Sequence, residues 1–74
     1  RRVLFRSINY NTGAVYTGEL RDGILEGQGV YVWPNRDKYE GGFVNNKKEG
    51  WGKLTRANGQ VQAGMWKNDV FVSP

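Results

Sequence analysis

The sequence predicts an all-β fold: a tandem array of β-hairpins laid side by side in one elongated, twisted, single-layer sheet. Three observations predict it. Tyr16-Thr17-Gly18-Glu19-Leu20 returns after 23 residues as Tyr39-Glu40-Gly41-Gly42-Phe43, and again, weakened, as Gln62-Ala63-Gly64-Met65-Trp66. Between these blocks, Gly27-Gln28-Gly29 returns as Gly50-Trp51-Gly52. Short apolar-polar alternations are separated by turn-forming residues, and no stretch of useful length carries a helical period. A fixed period of roughly 20–50 residues marks small units that stack on their neighbours.

The elements follow in order. Residues 1–7, Arg1-Arg2-Val3-Leu4-Phe5-Arg6-Ser7, resemble the in-frame translation of a common sequencing-library adapter. They are expected to be a non-native cloning or assembly scar, the alternative being a genuine basic N-terminal strand. Residues 8–15 are expected to be a partial unit that closes on the turn Asn11-Thr12-Gly13. Residues 16–38 form the first whole unit. There Tyr16–Leu20 alternates as a strand, Arg21-Asp22-Gly23 makes a turn because Asp and Gly tolerate its backbone, and Gly27–Trp33 is the returning strand. Pro34-Asn35-Arg36-Asp37 then leads into the next copy. Residues 39–61 repeat this plan with turns at Asn45-Asn46 and Ala57-Asn58-Gly59. Residues 62–74 are expected to be a partial repeat or cap, with a turn at Asn68-Asp69 and a last short strand at Val70-Phe71-Val72.

Aligned on the period, the copies separate structure from chemistry. Leu20, Phe43 and Trp66 share one column, Gly18, Gly41 and Gly64 a second, and Ile8, Tyr31 and Leu54 a third, in step with Gly29 and Gly52. Residues two apart in a strand share a face. The expected repeat core is therefore Tyr16, Gly18, Leu20, Gly27, Gly29 and Tyr31 in one unit, Tyr39, Gly41, Phe43, Gly50, Gly52 and Leu54 in the next, and Gly64 and Trp66 beyond. Glycine weakens a strand by about 0.5–1 kcal/mol relative to alanine, so its recurrence implies a steric need. The expectation is that these glycines make room for rings from neighbouring strands.

The pattern Y-x-G-x-(W/L/F) followed by G-x-G-x-(Y/L) resembles the MORN repeat, a module of about 23 residues in which each copy is a β-hairpin. The resemblance runs from about Ser7 to Trp66. It departs from the pattern at Gln62, which replaces the opening aromatic, at Arg56, which stands where Trp33 and Tyr10 do, and after Trp66, where no G-x-G follows. The resemblance implies a scaffolding role, at times at membranes or cytoskeletal structures. In some members it also implies attachment to a catalytic domain such as a lipid kinase or a methyltransferase.

Composition bounds the chemistry. A chain of 74 residues is one small domain or a piece of a larger protein, and a fragment is expected here. There is no cysteine and no histidine, hence no disulfide frame, no thiolate metal site and no imidazole base. Ser7, Thr12, Thr17, Thr55 and Ser73 lack a base to activate them. A mean hydropathy of −0.70 and the lack of a long apolar run exclude a transmembrane helix. The G-x-G pairs open no helix and carry no G-K-[ST], so they are read as structural rather than as phosphate cradles. Glu26 and Glu49, one before each G-x-G, are read as solvated rim positions, not as an acid/base pair.

The formal charge of +4 suggests an acidic partner. Without Arg1, Arg2 and Arg6, however, eight Lys and Arg stand against seven Asp and Glu, a net of +1. What remains is a small basic-aromatic cluster, Lys47, Lys48, Trp51 and Lys53, as the candidate partner or lipid contact. The expected function is a non-catalytic interaction or scaffold module that binds another protein. The alternatives are binding of anionic phospholipid (phosphoinositide) head groups at a membrane surface, or an accessory segment of a multidomain enzyme. No cofactor, metal or small-molecule substrate is expected, nucleic acid is not an expected partner, and the expected location is cytoplasmic or peripheral to a membrane.

Overall fold

The computed structural model describes residues 3–74. They form seven strands: β1 (Val3–Asn9), β2 (Val15–Arg21), β3 (Ile24–Val32), β4 (Lys38–Val44), β5 (Lys47–Thr55), β6 (Val61–Lys67) and β7 (Val70–Ser73). All are antiparallel and lie in one open sheet in sequence order, with extents of 35 × 26 × 15 Å. This is the hairpin array the repeat predicts. β1 begins inside the segment expected to be a scar. Arg1 and Arg2, on which most of that segment's charge rests, lie outside the described residues.

Two kinds of turn alternate along the chain. Asp22-Gly23, Asn45-Asn46 and Asn68-Asp69 each place two consecutive residues at positive φ. That is the signature of the two-residue hairpin turn whose twist matches that of its strands, and Asn, Asp and Gly tolerate it best. The other turns span Tyr10–Ala14, Trp33–Asp37 and Arg56–Gln60. In each, the first residue's N–H donates to the last residue's carbonyl, at 2.9, 2.9 and 2.8 Å. The residue before the close has φ of +98 at Gly13, +77 at Arg36 and +94 at Gly59. Asn35 Oδ1 and Asn58 Oδ1 each accept from the amide two residues on, both at 3.0 Å.

The register turns the sequence columns into rows that cross the sheet. Ile8, Tyr16, Tyr31, Tyr39, Leu54 and Gln62 are successive cross-strand partners. The core lies on this face: Tyr16, Leu20, Leu25, Tyr39, Phe43, Leu54 and Trp66 are buried, and Ile8, Tyr10, Tyr31, Trp33 and Phe71 pack against them half-buried.

The glycines serve three different needs, where the sequence suggested one. A Cβ on Gly29 would lie 2.5 Å from Cε1 of Tyr16, and one on Gly52 at the same distance from Cε1 of Tyr39, so here the ring does lie on the glycine. Gly18 and Gly41 instead face those glycines across the ladder. A Cβ there would come within 2.5 Å of the opposing Cα and 2.6 Å of a carbonyl oxygen. At Gly50 a Cβ would meet nothing, but φ is +83; this glycine sits where the β4–β5 register slips between Gly41 and Phe43. Its need is conformational, as the bulge geometry requires.

Candidate functional site

The core face is built on two buried tyrosines. Tyr16 and Tyr39 are 0 % exposed, and each phenol donates to the carbonyl of the residue on its own strand that stands opposite the partner strand's bulge, Tyr16 to Glu19 at 2.7 Å and Tyr39 to Gly42 at 3.0 Å. Burial pushes both phenols up to about 12. Glu19 and Tyr10 add to the effect at Tyr16, and Asp69 and Glu49 at Tyr39. The rings continue edge to face: Tyr16–Phe43 at 5.3 Å, Phe43–Tyr39 at 5.2 Å and Tyr39–Trp66 at 5.5 Å. Such pairs contribute about 0.5–1.5 kcal/mol each beyond area burial. Trp66 Nε1 closes the row by donating to the Gly52 carbonyl at 3.1 Å.

Beside this core lies a strip of rings that none of the described residues covers. Tyr10, Tyr31 and Trp33 stack with centroids 5.7 and 4.7 Å apart and remain half-buried. Next to them stands Lys48, in the column that holds Leu25 and Phe71 in the neighbouring copies. Its Nζ lies 5.4 Å from the Trp33 centroid, 5.8 Å from Tyr39 and 5.6 Å from Trp66, and 3.4 Å from Asp69 Oδ1. A lysine thus fills an apolar position by giving its stem to the core and its charge to three ring faces and a carboxylate. Two clefts of about 200 and 240 Å³ flank it. One is lined by Trp33, Asp37 and Arg56, the other by Tyr31, Phe43 and Asn46.

The other three members of the basic-aromatic cluster do not join Lys48. Lys47, Trp51 and Lys53 alternate with it along β5 and point to the opposite, back face, where all three are exposed. Trp51 is 60 % exposed and pairs in register with Met65, which is 46 % exposed. Lys53 pairs in register with Glu40. A groove of about 400 Å³ crosses the back face beside Trp51, lined by residues of β2, β3 and β4 and by Phe5.

Two side-chain roles escape the sequence reading. Glu26 and Glu49 are not solvated rim residues: each is half-buried and accepts from the backbone of the next hairpin's turn, Glu26 from Asn45 N at 3.4 Å and Glu49 from Asn68 N at 3.1 Å. Asn46 Oδ1 and Asp69 Oδ1 return the link, accepting from Leu25 N at 2.9 Å and Lys48 N at 2.8 Å. The period shows Glu26 and Glu49 to be equivalent, but not which turn amides they bind. Among the described residues, no group of three acidic side chains is placed to hold a metal ion.

A family model described as MORN repeat matches residues 16–38 and again residues 39–61, together more than half of the chain. No curated protein matches the chain.

Proposed function

Because the chain belongs to the MORN repeat family, whose repeats are typically non-catalytic and generally mediate protein or membrane contacts, we propose that it is an interaction module whose partner is a protein. The observation that carries this reading is the uncovered strip Tyr10–Tyr31–Trp33, contiguous with a rigid core and flanked by two clefts. Large, half-exposed rings held by a stiff scaffold are what protein interfaces use as anchors, since they offer area at small conformational cost. Lipid binding has less to stand on. Lys48 is committed inward to rings and to Asp69, and Lys53 sits beside Glu40. At roughly 1 kcal/mol per basic residue near an anionic surface, the exposed remainder is a weak anchor.

Selection of a random displayed-peptide library on the immobilised chain tests the proposal. Convergent peptides are expected, with affinity reduced roughly tenfold or more by Trp33→Leu and unchanged by Trp51→Lys. Failure to converge, or equal binding to the folded Trp33→Leu variant, refutes it. Flotation with phosphoinositide vesicles at low salt tests the lipid alternative. Binding abolished by Lys47→Glu with Lys53→Glu would replace the protein reading.

A further inference from the structure

The back face is a single-layer sheet surface that no second layer covers, and its side chains form a pattern complementary to itself. One row across the sheet reads Val32, Lys38, Thr55, Val61; the next reads Val30, Glu40, Lys53, Ala63. A half-turn about an axis running along the strands between β4 and β5 lays β4 on a partner's β5, and β3 on a partner's β6. Under that operation Glu40 meets the partner's Lys53, and Val32 meets the partner's Val61, each twice. Trp51 passes over the partner's β4, at the edge of the groove where Glu40 and Gly41 form the wall. Like charges face each other nowhere in these two rows.

We propose that this face is the interface of a symmetric homodimer: two copies close back to back into a two-layer sandwich, with Trp51 of each seated at the other's groove. A sheet face is stably buried only against another layer, and a two-fold interface must be self-complementary in this way. Aligned packing of two twisted sheets sets the strands about 30° apart. The contact spans four strands about 4.8 Å apart over about 20 Å of length, a projected patch of roughly 400 Å² per copy. That is below the ~800 Å² per partner of a standard interface, so the dimer is weak and concentration-dependent. Its paired rows lie on β3 to β6, with Phe5 of the segment 1–7 only at the far side of the groove, and it leaves the ring strip on the other face free, so it is independent of the protein-partner reading.

Sedimentation velocity between about 10 and 500 μM reads the outcome, with circular dichroism confirming that each variant is folded. The wild type is expected to pass reversibly from monomer to dimer. Glu40→Lys alone and Lys53→Glu alone are each expected to remain monomeric where the wild type dimerises. Mixing the two variants restores a dimer, since positions 40 and 53 then carry opposite charges across both halves of the two-fold interface while the neighbours within each copy stay alike in charge. A wild type that is monomeric throughout, assemblies larger than a dimer, or folded single variants that are not rescued by mixing overturn the proposal.

Discussion

Gly52→Ala isolates the contact on which the array rests. The added Cβ falls within 2.5 Å of Cε1 of Tyr39 and closer still to its hydroxyl, and the glycine lies under a side chain that is fully buried. The ring must therefore lift, at an overpacking cost of about 1–3 kcal/mol. Lifting it also strains the Tyr39–Gly42 hydrogen bond and the edge-to-face contacts with Phe43 and Trp66, about 1–2 kcal/mol more. Against this, replacing glycine in a strand returns about 0.5–1 kcal/mol. The net loss is about 1–4.5 kcal/mol, which for a chain of this size lowers the melting temperature by roughly 5–35 °C. The decisive measurement is a double-mutant cycle by urea denaturation with Tyr39→Leu, which removes the colliding ring. Gly52→Ala should cost far less in that background. An equal cost with and without the Tyr39 ring would refute ring-on-glycine packing. Gly29→Ala, one period earlier, should behave alike through Tyr16.

Further perturbations separate the other devices. The phenols of Tyr16 and Tyr39 are raised to about 12, so the folded state holds protons the unfolded chain has already released. Their contribution is intact below pH 10 and lost as pH rises towards 12, about 2–3 kcal/mol per tyrosine, which alkaline denaturation followed by phenolate absorbance will show as cooperative unfolding rather than gradual titration. Arg36 takes the left-handed backbone that Gly13 and Gly59 take in the equivalent turns; Arg36→Gly should stabilise the chain by up to about 1 kcal/mol in thermal melts. Glu49→Ala should cost about 1 kcal/mol and speed amide exchange at Asn68 and along β6–β7 while leaving β2–β3 protected.

Much of this fold is legible without coordinates, and the reason is periodicity. Columns such as Leu20–Phe43–Trp66 and Ile8–Tyr31–Leu54 recur because each copy meets the same neighbours, and the turn pairs recur because their backbone admits few residues. The glycines stand out in the sequence but are not distinguished there. A glycine under a ring, one facing another glycine and one in a bulge look the same as letters, and only φ and the facing atoms separate Gly52, Gly41 and Gly50. The links from Glu26 and Glu49 stay hidden because they join different columns of successive copies, so alignment of like with like does not reveal them. Lys47, Lys48, Trp51 and Lys53 look like one patch because they are close in sequence. The period-2 geometry of a strand sends Lys48 to one face and the other three to the other. Lys48 is the informative residue: a charge in a column otherwise apolar.

The turn-to-strand links have a direction. Asn46 reaches back 21 residues to the amide of Leu25, and Asp69 reaches back 21 to that of Lys48. In each case the acceptor is made after the group it secures. The β2–β3 hairpin is fastened by the turn of the following hairpin, and that hairpin by the turn of the next. The array is thus chained in one sense: removing a turn releases an amide in the unit before it, not in the unit after it.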